Sequence, residues 1–167
     1  MPESQTLDII KGAILLEHKG KALYDSVRET SEIDAVKELF TLLSQEEDTH
    51  IKILNRQFRR LTEGKGIEPE GLEESHSAVA DTVISESITK EVYAAGYEAA
   101  VISAALEFEK QAVKYYSEHA ASAVSQGEKE IFGWLTAWEK SHMQMLAKLD
   151  DELKEKIWFD NQFWPMD

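Results

Sequence analysis

Apolar side chains recur every three or four residues along four long stretches, about 6–29, 33–62, 90–123 and 127–156, which contain no proline and few glycines. That period marks an amphipathic α-helix. In the first stretch Ile10, Ala13, Ile14, Glu17, Tyr24 and Val27 fall on one stripe. In the second Val36, Leu39, Phe40, Leu43, Glu47, His50, Ile51 and Leu54 do the same. Thr6 and Thr89 are placed to cap the first and third helices, and Ser31/Asp34 and Ser125/Glu128 have capping-box spacing. Gly64, Gly66, Pro69 and Gly71 interrupt the pattern, and a short helix-compatible segment, Ser77–Ile84, follows. The pattern predicts an all-α four-helix bundle in a single domain over 1–167. Its parts are a helix pair over 6–62, a connector over 63–89 forming one long crossover, a second pair over 90–156 and an aromatic tail over 157–167.

The two pairs repeat each other. A shift of 92 residues superposes Ala13 on Ala105, Glu17 on Glu109, Tyr24 on Tyr116 and Phe40 on Phe132. It also superposes Leu43 on Leu135, Glu47 on Glu139, His50 on His142 and Leu54 on Leu146. Matching core residues reflect a shared packing problem. Matching glutamates and histidines on apolar stripes need a chemical reason.

Each half places a Glu on its first helix and, thirty residues later, a Glu-x-x-His on its second: Glu17 with Glu47/His50, and Glu109 with Glu139/His142. The midpoints, Glu32 and Val124, lie in the turns. Both glutamates of a pair therefore stand level, roughly 22 Å from the turn at ~1.5 Å per residue. The His three residues on shares the face of its Glu. Pseudo-twofold pairing of the halves then gathers four carboxylates and two imidazoles at mid-bundle, a donor set suited to a carboxylate-bridged pair of iron or manganese ions. Without metal each buried carboxylate would cost several kcal/mol of desolvation (on the order of) or take up a proton. A buried ion-pair network would explain the cluster less well, because neither set brings a Lys or Arg. Glu73-Glu-Ser-His76 has the same local spacing but lacks both the upstream Glu and a repeat partner, and reads as surface.

Composition narrows the partners. The chain has 32 acidic against 18 basic residues, a net charge of -14, and no cysteine. The acid excess disfavours nucleic acid and anionic membranes, which are bound through clustered Lys and Arg. The lack of cysteine excludes disulfides, thiolate metal sites and a cysteine nucleophile from this chain. Met1-Pro-Glu-Ser-Gln-Thr carries no basic or apolar leader, and no apolar run is long enough for a bilayer, so a cytoplasmic protein is expected.

Glu17-His-Lys-Gly20-Lys-Ala-Leu-Tyr24 with Glu47-x-x-His50, repeated as Glu109-x-x-Ala112-x-x-x-Tyr116 with Glu139-x-x-His142, resembles the ferritin-like superfamily. Within it, the chain is most similar to rubrerythrin-type proteins, over about 6–156. The resemblance implies a ferritin-like bundle and a non-haem centre of two iron ions, or manganese or a mixed pair. Its ligands would be Glu17, Glu47, His50, Glu109, Glu139 and His142. The implied chemistry is oxidation of Fe(II), or reduction of O2 or peroxide, as a ferroxidase or a peroxidase; iron storage without turnover is the alternative. Rubrerythrins usually append a thiolate iron module that feeds electrons to this centre. A cysteine-free chain would take them from an external donor. Peroxidase members also carry a further carboxylate one turn past the third-helix ligand, where this chain has Ala112, with Glu107 nearby as a candidate extra ligand or proton carrier.

Tyr24 and Tyr116, two turns beyond Glu17 and Glu109, are placed to hydrogen-bond a ligand carboxylate. Glu46 points about 100° away from Glu47 around its helix and is not expected to ligate. His18 and His119 lack repeat partners and read as surface. Trp158, Phe159, Phe163 and Trp164 are expected to fold back over their own bundle, or to cover the partner in a homodimer.

Overall fold

Four long helices account for most of the chain in the computed structural model: α1 (Pro2–Thr30), α2 (Asp34–Thr62), α3 (Tyr97–Ala121) and α4 (Gln126–Asp160). The structure describes residues 2–72, 86–93 and 96–160, with a further helical stretch over 86–91 and no strand among them. α1 packs along α2 and α3 along α4, and α1 also touches α3. Both turns fall where the sequence puts them, at 31–33 and 122–125. No helix among the described residues is long and apolar enough to cross a membrane.

Three boundaries differ from the periodicity. α1 begins at Pro2, so Thr6 lies inside it. Its hydroxyl donates to Glu128 Oε1 at 2.7 Å instead of capping, tying α1 to the start of α4. α3 begins at Tyr97 after Gly96, whose backbone is extended, and not at Thr89. The 86–91 stretch is a separate piece that buries Ile88 and Val92. There Thr89 donates to Glu152 Oε2 at 2.8 Å, while Lys156 Nζ donates to the carbonyls of Thr89 and Val92. α4 continues to Asp160, four residues into the 157–167 segment expected as an aromatic tail.

The capping signals are realised in part. Glu128 N–H donates to Ser125 Oγ at 3.2 Å, but the Glu128 carboxylate returns to the Val124 N–H at 3.3 Å. Ile33 is the residue that caps α2, and Ser31 Oγ accepts from its N–H while donating to Glu98. Glu73–His76, Ser77–Ile84, Phe163 and Trp164, and the side chains of Trp158 and Phe159, lie outside the described residues.

The apolar interior is in two parts. One gathers Tyr24, Phe40, Leu43, Ile102, Leu146 and Leu149. The other gathers Tyr116, Phe132, Leu135, Ile10, Ile53 and Leu54. They follow the repeat: Tyr24 packs on Phe40 at 5.7 Å between ring centroids, and Tyr116 on Phe132 at 6.4 Å. At roughly 25 cal/mol per Å² buried, these side chains carry most of the bundle's stabilisation. The Glu/His residues fall between them.

Candidate metal centre

Glu17 stands on α1, Glu47 and His50 on α2, Glu109 on α3, and Glu139 and His142 on α4; all six are at most 1% exposed. Equal arm lengths from each turn put the glutamates level, and the i, i+3 spacing keeps each His beside its Glu. The His50 Nδ1 lies 2.9 Å from Glu139 Oε1 and 3.4 Å from Glu17 Oε2. The His142 Nδ1 lies 3.3 Å from Glu109 Oε1 and 3.3 Å from Glu139 Oε2. The structure thus brings together all six residues singled out by the repeat.

The tyrosines cross between the halves. Tyr116 donates its hydroxyl to Glu17 Oε1 at 2.6 Å, and Tyr24 donates to Glu109 Oε1. Each therefore supports the glutamate of the opposite half. Burial, then the neighbouring Glu109 for Tyr24 and Glu17 for Tyr116, pushes both phenols well above their ordinary range, so they stay hydroxyl donors.

Charge is crowded here. Burial, then the charges of Glu109 and Glu17, drives the Glu139 carboxyl well above its usual range. For His142 burial opposes the charged form, but Glu109 beside it prevails and raises its basicity. For Glu109 burial pushes upward, and the adjacent His142 more than compensates, lowering it.

Even so, the cluster is undersatisfied. Both oxygens of Glu47, Glu109 Oε2 and His50 Nε2 are buried without a hydrogen-bond partner, and the buried Glu139 oxygens have only the two imidazoles beside them. Orphaned buried carboxylate oxygens are costly and rare. Two sets of four donors each converge to within 4.8 Å: Glu17, Glu47, His50 and Glu139, and Glu47, Glu109, Glu139 and His142. Carboxylate and imidazole donors facing one another with no cation side chain among them fit divalent metal.

The family model for rubrerythrin matches residues 8–150. The chain belongs to the rubrerythrin family. Neither a curated protein nor a solved structure matches it significantly.

Several neighbours of this rubrerythrin-type cluster differ from the sequence reading. Glu107 is exposed and pairs with Lys110 at 3.2 Å, away from the cluster, so it is neither ligand nor proton carrier there. Ala112 is buried and brings no carboxylate. His18 is exposed as expected, whereas His119 is half-buried against Tyr115, with ring centroids 4.4 Å apart. Gly20 leaves room for Phe108: a Cβ there would stand 2.7 Å from Phe108 Cε1, so that ring would have to shift.

Glu46, read from the sequence only as a non-ligand, and Trp138 both stand against the histidines. Glu46 is buried, and its carboxylate hydrogen-bonds His142 Nε2. Trp138 packs edge-on against His50. The available signal was their equivalence under the 92-residue shift, an acid matched to an indole beside a matched Glu.

Proposed function

We propose that this chain is a non-haem di-iron protein that oxidises Fe(II) or reduces O2 or peroxide, built as one ferritin-like domain of two pseudo-symmetric helix pairs joined by one long crossover. The observation that carries this is the sharing of Glu47 and Glu139 between two overlapping donor sets. Two ions held there would share Glu47 and Glu139, and Glu17 with His50 and Glu109 with His142 would each hold one of them. Four carboxylates offset the charge of two divalent ions, and the mixed oxygen and imidazole donors suit iron, or manganese, in more than one oxidation state.

A bound iron pair would supply the redox electrons for O2 or peroxide chemistry. The chain's own residues do the rest. Tyr24 and Tyr116 hold Glu109 and Glu17 in fixed orientations. The two apolar clusters exclude water on either side. Burial and the neighbouring carboxylates raise the proton affinity of Glu139 and His142, so a cation binding there would displace protons. With no cysteine in this chain, reductive turnover draws on an external electron donor.

The test is metal content after anaerobic loading with Fe²⁺, with an optical spectrum of the oxidised form. Two irons per chain and an absorption that bleaches on reduction support the reading. Dozens of irons per chain would mark storage instead. Glu47→Ala and Glu139→Ala each remove a carboxylate from both donor sets. If metal content and thermal stability stay unchanged in both variants, the centre is not there.

A further inference from the structure

The repeat that builds the cluster is broken at one position. Glu46 and Trp138 are equivalent under the 92-residue shift, each immediately before the Glu of its Glu-x-x-His. Each reaches the histidine of the opposite half. The Glu46 carboxylate hydrogen-bonds Nε2 of His142. Trp138 stands perpendicular to His50 with ring centroids 4.7 Å apart, and Trp134 flanks the same imidazole at 5.4 Å.

Both imidazoles turn Nδ1 toward the carboxylates, so Nε2 is the outward nitrogen in each. For His142 that nitrogen has a carboxylate partner; for His50 it is buried with none, as is the indole nitrogen of Trp138. A carboxylate on the outer nitrogen holds the proton there, leaves the lone pair on Nδ1, fixes the ring's orientation and makes it a better donor. Indole contacts hold a ring in place but choose no tautomer.

We propose that the two metal positions are unequal by construction: the one served by Glu109 and His142 takes a divalent cation first and more tightly, and the one served by Glu17 and His50 fills second. Glu46 is the positioning residue that sets the order, acting through His142. The inference rests on the metal-binding reading above and adds to it the ranking of its two positions.

The experiment is a stepwise anaerobic titration of the metal-free full chain with Co²⁺, followed by calorimetry and by the visible absorption of the bound ion. The unmodified chain should show two one-ion steps with resolved affinities. Glu109→Ala should abolish the tighter step and Glu17→Ala the weaker. Glu46→Gln should weaken the tighter step by about 10–100-fold and leave the weaker one in place, as expected for loss of an outer partner of a ligating histidine. Trp138→Phe should keep both steps. The fold of each variant is checked by circular dichroism. A nitrogen-15 spectrum of the histidines gives a second readout, in which Glu46→Gln should change the ring signals of His142 and spare those of His50. Two steps of equal affinity, or a Glu46→Gln titration that matches the unmodified chain or weakens both steps alike, overturns the ranking while leaving the metal centre standing. A chain that binds no Co²⁺, Mn²⁺ or Fe²⁺ overturns the centre as well.

Discussion

The Tyr116 hydroxyl donates to Glu17 Oε1 at 2.6 Å, joining two residues that are 99 positions apart in sequence and lie in opposite halves of the repeat. Tyr24 makes the equivalent bond to Glu109. Removing the Tyr116 hydroxyl strands Glu17 Oε1, whereas Glu109 Oε1 keeps His142 Nδ1 at 3.3 Å when Tyr24 loses its own. Tyr116→Phe should lower stability by about 1–3 kcal/mol, the penalty for an unsatisfied buried acceptor, and Tyr24→Phe by less. Denaturant unfolding of the metal-free chain measures this, and a change near zero in both would show that the bonds do not hold the glutamates.

Acidity should matter most when metal is absent. Glu139 and His142 hold their protons more tightly folded than unfolded. Their contribution to stability is complete below the unfolded values, about 4.3 and about 6.5, and fades as pH climbs through the raised folded ones. Glu109 shifts the opposite way, so its contribution is present above about 4.3 and is lost only in acid. The metal-free chain should therefore melt at progressively lower temperature as pH rises above about 6, a window opening near the unfolded His value. Saturating Mn²⁺ should flatten or reverse that trend, because metal binding displaces the same protons. Thermal melts at matched ionic strength decide it, and a metal-free melting temperature that rises with pH would contradict it.

The division of the interior makes a separate claim. Leu43 and Leu135 are equivalent in the repeat, fully buried, and in different apolar clusters. Leu43→Ala and Leu135→Ala should each cost about 2–5 kcal/mol. Lacking shared partners, they should add to within about 0.5 kcal/mol in the double variant. A large coupling in the double-mutant cycle would mean that the two clusters behave as one.

Two glycines of α4 should respond with opposite signs. A Cβ on Gly127 would stand 2.7 Å from the Ile67 carbonyl oxygen, where the connector crosses the start of α4. Gly133 has nothing within 4 Å of its Cβ position. Gly133→Ala should gain about 1 kcal/mol from helix propensity. Gly127→Ala gains the same but meets overpacking of about 1–3 kcal/mol, for a net loss of up to about 2 kcal/mol. Melting temperatures of the two variants, compared side by side, test the connector's placement.

The six clustered residues were legible because the duplication supplies two readings of one pattern, and because turn position fixes the level of Glu17 against Glu47 and Glu109 against Glu139. Thr6 and Thr89 misled for a common reason: a threonine before an apolar run has a cap's composition. Each instead spends its hydroxyl on a distant glutamate, Glu128 or Glu152, that no local window reveals. Glu46 escaped because helix geometry turns it away from its own half's glutamate. Its partner, His142, belongs to the other half, and only the docking of α2 beside α4 brings them together. Glu107 is the converse case, near Glu109 in sequence and yet on the solvent face of α3.

A centre supplied equally by two repeated halves carries a rule of symmetry. Were the halves separate, identical chains, position 46 and position 138 would be the same residue, and both histidines would meet the same neighbour. Linking them in one polypeptide lifts that identity. Joining the halves through the segment after α2 is what allows an acid to stand behind one imidazole and an indole behind the other.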